Sequence, residues 1–166
     1  MSVHRAAGGL RRRRRRNCDG DAERTEEVLR NGCELARRKA TDVVLIRKHF
    51  RFEAAHVLPH HPGKCARVHG HSYRLEVAVA GPLQTSGPAQ GMVVDFDAIS
   101  SIVRPLVIDR LDHSSLNDVM ENPTAELIAL WIWETLASEL AGLTEIVVWE
   151  TQTACAVVRA EDARAR

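Results

Sequence analysis

The sequence predicts an α+β domain in which an antiparallel sheet carries helices on one face. Three observations predict it. Two stretches, one ending at His56 and one running from His71 to Val79, alternate apolar and polar residues with the period of a half-buried strand. Two later stretches, 97–111 and 122–140, read as helices by their caps and apolar content. Two more strand-like runs, TEIVVWE and TACAVVRA, close the chain. Strands with alternating faces pair antiparallel and bury one face, which helices then cover.

Each element has its own justification. In VVLIRKHFRFEAAHV, Phe50, Phe52, Ala54 and His56 share one side, and Arg51, Glu53 and Ala55 the other. PHHPGK follows as a loop, with two prolines and a glycine. In HSYRLEVAVAG, His71, Tyr73, Leu75, Val77 and Val79 face one way, and Ser72, Arg74, Glu76 and Ala78 the other. GPLQTSGPAQG reads as a connection, and MVVDF as a short strand. Asp97 is placed to cap a helix over DAISSIVRPLVIDRL, which Pro105 should kink or split. DHSSLND is a loop. Asn122-Pro123 then marks a second helix, with Asn as cap and Pro in the first helical position, stopping near Gly142. Its apolar residues cover more than one stripe, enough for the sheet and for another subunit. The order is strand, strand, helix, helix, strand, strand, and so small a layer leaves sheet edges in need of cover. Oligomerisation is expected on that ground.

Composition bounds the function. At 166 residues with 45 % apolar content the chain holds one core, and aromatics at 4 % leave aliphatic side chains to fill it. No apolar run approaches the roughly 18 residues of a membrane span. The basic N-terminus has no apolar run behind it to make a signal peptide, so a cytoplasmic protein is expected. Charge divides the chain. Residues 1–40 hold 12 Lys/Arg against 6 Asp/Glu, and residues 41–166 hold 11 against 16. Residues 1–42, with six consecutive arginines at Arg11–Arg16, are expected to be a disordered extension holding at most a short helix over 21–40. The folded domain is expected over 43–160, and a frayed tail over 161–166. Such an arginine run suits nucleic acid, but a solvated extension without a role in the domain is the commoner case. Cys18, Cys33, Cys65 and Cys155 form no CxxC pair and read as free thiols.

The chemistry gathers around CARVHGHSY. His69 and His71 are two residues apart on a strand, which points both rings to one face. His56 ends the preceding strand, and the intervening loop is short enough to make the two strands neighbours. Three neutral imidazoles make a catalytic zinc set, with a fourth position open. A lone histidine on a strand is ordinarily packing; three that converge are not. His60 and His61, in the Pro-flanked loop, read as surface residues. Gly70 between the ligands suits close backbone approach. A dication nearby would favour the thiolate of Cys65, a candidate base or nucleophile. Asp112-His113 can act as a proton relay. Glu150 shares its face with Ile146 and Val148, so its carboxylate needs an arginine or a ligand with N–H donors, to which a guanine-like ring edge would bind bidentately.

Taken in order, FEAAHVLP, CARVHGHSY, VVDF, RLDHSSLND, NPTAE and VWETQTA resemble the 6-pyruvoyl-tetrahydropterin synthase superfamily over residues 48 to about 160. Three residues separate Cys65 from HGH, which is similar to the branch that makes 6-carboxy-5,6,7,8-tetrahydropterin for queuosine. The resemblance implies a T-fold: a four-stranded antiparallel sheet with two helices on one face, ββααββ, assembled into an oligomeric barrel, often a homohexamer built as a dimer of trimers. It implies zinc held by His56, His69 and His71, with Cys65 as general base and Asp112 and His113 as the relay that activates it. Glu150 would anchor the pterin, with Thr124 helping to hold it, and Glu150 counts with the catalytic residues. The implied reaction converts 7,8-dihydroneopterin triphosphate to the 6-carboxy product, with loss of acetaldehyde and triphosphate. Lys64 and Arg67 are placed to meet the triphosphate. One departure is Ser114, where a second histidine is expected after His113. Other readings are a 6-pyruvoyl-tetrahydropterin synthase and a pterin- or metal-binding protein without catalysis.

Overall fold

A computed structural model describes residues 42–163. The arginine run, the helix expected over 21–40, Cys18 and Cys33 lie outside the described residues, as do the last three residues of the expected tail.

The two alternating stretches become the longest elements, β1 (Val43–His56) and β2 (His69–Pro82). They pair antiparallel along their whole length, from Val43 opposite Pro82 to His56 opposite His69. Residues directly opposite share a face. Phe52 therefore stacks on Tyr73, with centroids 4.8 Å apart and planes within 8°. Beyond β2 lie β4 (Leu143–Trp149) and β5 (Cys155–Arg159), both antiparallel to their neighbours. On the other side of β1, Ser114–Ser115 (β3) pairs parallel with Ala54 and Ala55. The sheet is thus mixed and five-stranded in the order β3-β1-β2-β4-β5, where four antiparallel strands were expected. The added strand is two residues long, because the loop after the first helix touches β1 only at its end.

The helices form and bury the expected face. α1 (Phe96–Val103) is capped by Asp95, whose carboxylate accepts the Asp97 N–H at 2.7 Å, so the cap stands two residues before Asp97. At Pro105 the α-helix gives way to a π-turn, Arg104–Ile108, and then one more α-turn, Asp109–Leu111. Proline has no N–H to donate, and a widened turn absorbs the loss without ending the helix. α2 (Ala125–Leu136) is capped by Thr124, whose hydroxyl oxygen accepts the Leu127 N–H. Asn122 is not the cap. Its carbonyl accepts the Thr124 N–H at 2.8 Å, which holds Pro123 in a turn outside the helix.

MVVDF does not form a strand. Both edges of β2, the strand it follows, are taken by β1 and β4, so the run cannot fold back on β2 as a hairpin. Val93 and Val94 instead pack against the core from a loop in which the Gly91 N–H reaches Gln84 O and the Gln84 N–H reaches Met92 O. Glu161 to Ala163 belong to a helical turn, α3 (Ala160–Ala163), where fraying was expected.

Phe50, Leu75, Val77, Ile146 and Val148 of the sheet meet Ile99, Val103 and Leu111 of the first helical stretch and Ile128, Ile132 and Leu136 of α2 in one buried cluster. Burying each such side chain contributes about 1.5–3 kcal/mol. The opposite face stays polar, with Glu145 accepting from Arg47 at 2.6 Å and from Arg159 at 2.8 Å, and Glu76 accepting from Trp149 Nε1 at 2.8 Å. Cys65 and Cys155 are free thiols. Among the described residues no helix is long and apolar enough to cross a membrane.

Gly142 joins α2 to β4 with φ +78°, and a Cβ there would stand 2.6 Å from Ala80 O. Its carbonyl accepts the Ala80 N–H, so the turn is sewn to β2. Gly142→Ala should cost about 2–3 kcal/mol from left-handed strain and the clash, read as a lower urea midpoint with an unchanged slope.

Candidate metal centre

The β1–β2 register sets His56 opposite His69 and His71 opposite Ala54, so all three rings stand on the helix-covered face at one end of the sheet. The ring nitrogens able to bind a metal lie within 4.8 Å of one another. Gly70 permits the approach: a Cβ there would lie 3.2 Å from Ala54 O.

The protonation of the rings is fixed by carbonyls. His56 Nδ1 lies 2.8 Å from Pro123 O, and His69 Nδ1 lies 2.8 Å from Arg67 O. A carbonyl only accepts, so each Nδ1 carries the hydrogen and donates it. In the neutral rings both Nε2 atoms then hold bare lone pairs, and these face each other at 3.0 Å. His71 Nε2 is buried with no hydrogen-bond partner. Burial holds the His71 imidazolium below its ordinary pKa; Glu150 raises it in part, while His56, His69 and Lys64 lower it further. Two fixed lone pairs and the unpartnered His71 nitrogen, all within 4.8 Å of one another, fit a divalent ion that binds imidazole, zinc above all. The carbonyls of Pro123 and Arg67 supply the outer support that such ligands need.

Glu150 joins this group. It follows β4 at the neck of the hairpin to β5, where its N–H reaches Ala154 O at 3.2 Å. Its Oε1 stands 3.7 Å from His56 Nε2 and 3.9 Å from His71 Nε2. Below lies Tyr73, whose hydroxyl is 3.5 Å from His56 Nδ1. Burial pushes the Tyr73 phenol well above its ordinary range, and the Glu150 charge pushes it further. Tyr73 therefore stays neutral.

Other expected residues lie around the group. Cys65 sits half-buried in the 3₁₀ turn Lys64–Ala66, outside the donor cluster. Its carbonyl accepts the Leu58 N–H at 2.9 Å, which ties the loop to the end of β1. Lys64, Arg67, His60 and His61 are exposed. Thr124 spends its oxygen on the α2 cap. Asp112 and His113 are clamped on Glu53: Asp112 Oδ1 accepts the Glu53 N–H at 2.8 Å, and the His113 N–H donates to Glu53 O at 2.6 Å. His113 takes φ +55°, its Nδ1 lies 3.0 Å from Asp112 Oδ1, and its ring is 80 % exposed. Together with His71, Gly70 and Ser72 it lines an open cleft of about 560 Å³. Among the described residues no hydrogen bond joins Cys65 or the Asp112–His113 pair to the three imidazoles.

Sequence reasoning missed the residues that hold this arrangement. Asn117 clamps the end of β1, accepting the Val57 N–H at 2.7 Å and donating to Val57 O at 2.9 Å. The Pro123, Arg67 and Glu53 contacts are made by backbone atoms, which leave no trace in residue type. Asn117 had a signal, as an amide within the loop SSLND, but nothing to say what it would bind.

The sequence signature of the family described as 6-pyruvoyl tetrahydropterin synthase matches residues 45–161. The chain belongs to this family. The 6-carboxy-5,6,7,8-tetrahydropterin synthase of Synechocystis sp. is 49 % identical over 116 residues, 68 % of this chain and 90 % of that protein. The protein of that name from Haemophilus influenzae is 35 % identical over 131 residues, 65 % of this chain and 93 % of that one. Among solved structures, the 6-pyruvoyl tetrahydropterin synthase of Caenorhabditis elegans superposes with a TM-score of 0.64 at 25 % identity, covering 74 % of this chain and 99 % of that one. In this member the α+β fold places the HGH pair and the FEAAH histidine of the family resemblance at one point.

Two outcomes follow. Metal analysis of dialysed protein should find one zinc per chain in the wild type and in Cys65→Ala, and well under half of one in His71→Ala. Asp112 titrates below the usual carboxylate range: the Glu53 N–H holds it down, burial opposes, and His113 adds to the lowering. A depressed folded pKa gives stability that is complete above the unfolded value and is lost as pH falls through the folded one. Asp112→Asn should therefore lower the melting temperature at pH 7 by a margin that shrinks as pH falls below about 4.

Proposed function

We propose that this family member is a zinc-dependent lyase that converts 7,8-dihydroneopterin triphosphate and one water to 6-carboxy-5,6,7,8-tetrahydropterin, releasing acetaldehyde and triphosphate, as a step toward queuosine. One observation carries the reading: three histidines bring their ring nitrogens within 4.8 Å of one another in a chain that matches synthases of that name. His56, His69 and His71 would hold the zinc, which when bound would supply Lewis acidity to the oxygens of the substrate side chain and so acidify the neighbouring C–H. Cys65 takes that proton as its general base. Asp112 and His113 relay protons to and from the thiol, with Asp112 orienting the imidazole. Glu150 accepts the N–H and NH2 edge of the pterin ring, a charge-assisted bidentate contact, and Thr124 helps to hold the ring. Lys64 and Arg67, exposed beside the site, meet the triphosphate.

The protein works as a homo-oligomer in this reading, a hexamer built as a dimer of trimers, in the cytoplasm. The edges of the sheet support association. Among the described residues no strand pairs with the outer side of β5, and β3 covers β1 only at Ala54 and Ala55. Val43, Val44, Leu45 and Val157 are exposed along these edges, and unprotected edges invite strand pairing.

Zinc-loaded protein should turn 7,8-dihydroneopterin triphosphate into the 6-carboxy product with one acetaldehyde per pterin, and Cys65→Ala should lower kcat at least about 100-fold while keeping its zinc. A 6-pyruvoyl product without acetaldehyde would move the chain to the sister branch. No pterin product at all would sink the reading.

A further inference from the structure

The four side chains at the centre share one electrostatic problem. Nδ1 of His56 and of His69 is spent on a carbonyl, so the Nε2 atoms of these two rings can only accept. His71 Nε2 is buried without a partner. Glu150 is three-quarters buried, and among the described residues no N–H or O–H donates to its carboxylate; its polar neighbours are two of those same Nε2 atoms. Glu150 and two Nε2 atoms that can only accept thus converge with the unpartnered His71 Nε2, and no hydrogen bond joins the carboxylate to any of them. A proton on one imidazole would bridge His56 and His69, which stand 3.0 Å apart, and would leave the other two groups unsatisfied. A largely covered carboxylate with no donor is disfavoured. One divalent cation answers all four.

Distances favour direct coordination. Zinc bonds to nitrogen or carboxylate oxygen are about 2.0–2.2 Å, so tetrahedral donors stand about 3.3–3.5 Å apart. Glu150 Oε1, at 3.7 Å from His56 Nε2 and 3.9 Å from His71 Nε2, is within about half an ångström of that spacing on two sides, and a side-chain rotation must close the remaining gap to His69. The mutual donor cluster is the three imidazoles; Glu150 borders it on two sides. Its backbone is pinned by the Ala154 contact, so a side-chain rotation alone carries it in or out.

We propose that Glu150 is the fourth donor of the metal centre in the substrate-free protein, and that it leaves the metal to take up the ring of the substrate. The exchange rests on the pterin reading above; the fourth-donor role does not. Coordination by Glu150 lowers the charge of the site from +2 to +1 and keeps adventitious ligands off the metal. Substrate that offers both N–H donors to the carboxylate and oxygens to the zinc then opens the position as it binds, so a molecule with only one of these features gains less.

The test uses the full-length, zinc-loaded chain without any pterin. Competition against a chromophoric chelator gives the zinc Kd of the wild type, Glu150→Gln and Glu150→Asp, and a crystal structure of the zinc-loaded wild type gives the Zn–Oε distance. The proposal expects a zinc Kd at least about tenfold weaker in Glu150→Gln, a smaller loss in Glu150→Asp, and a Zn–Oε distance of about 2.0–2.2 Å. The metal-free melting temperature of Glu150→Gln should equal or exceed that of the wild type, because a buried charge is removed; this separates lost coordination from lost folding. A Kd equal to that of the wild type, or Glu150 Oε beyond about 3 Å from the zinc, overturns it. If Glu150→Gln fails to fold, the wild-type distance decides alone. Failure of the synthase assay with these measurements intact would reject the pterin reading and leave the fourth donor standing.

Discussion

The pairing of β1 with β2 is the constraint on which the rest depends. Fourteen residues of each strand are locked in one register, and that register alone puts His56 opposite His69 and His71 two residues further in. A slip of one residue would turn every side chain of a strand to the other face. It would move His56 from the donor cluster to the open face and would expose Phe50 and Phe52. The apolar pattern therefore protects the metal site: the interactions that bury Phe52 against Tyr73 are the same ones that hold the imidazoles together. Core stability and site geometry depend on the same register, which explains how so crowded a cluster of imidazoles can persist in a chain of this size.

Around that register the backbone does most of the positioning. Pro123 and Arg67 set the tautomers of His56 and His69 through their carbonyls, and Glu53 clamps Asp112 and His113 through its N–H and C=O. Thr124 serves this indirectly. By capping α2 it fixes where the helix begins and leaves Pro123 in a turn with its carbonyl directed at His56. Main-chain groups suit the task because they cannot change protonation state and cannot rotate away. The result is a site whose acid–base character lies in its imidazoles, its carboxylates and one nearby thiol, while the supports around them stay inert.

Much of this was legible in the residues. Alternation predicted β1 and β2 and their buried faces, since a period of two has one physical meaning in a strand. The HGH pair and His56 predicted a common face. The reading failed where local pattern was overruled from a distance. MVVDF has strand composition, yet β2 had no free edge to offer it. Asp97 and Asn122 are good caps, yet Asp95 and Thr124 start the helices, because the first turn is set by where α1 and α2 meet the sheet. The two-residue β3 carries no pattern at all; it exists because the loop holding His113 lies against the end of β1.

The sequence by itself determined the elements, their buried faces and the identity of the donors, because periodicity and side-chain chemistry are local properties. Tertiary structure decided which lone pairs converge, which hydrogens are already spent and how close Glu150 stands to the imidazoles. Those are distances between residues as much as about a hundred positions apart in the chain, and no local rule contains them. The sequence could name an acidic residue in need of a partner. Only the folded chain could place it 3.7 and 3.9 Å from two imidazole nitrogens, where a shared cation would be the partner.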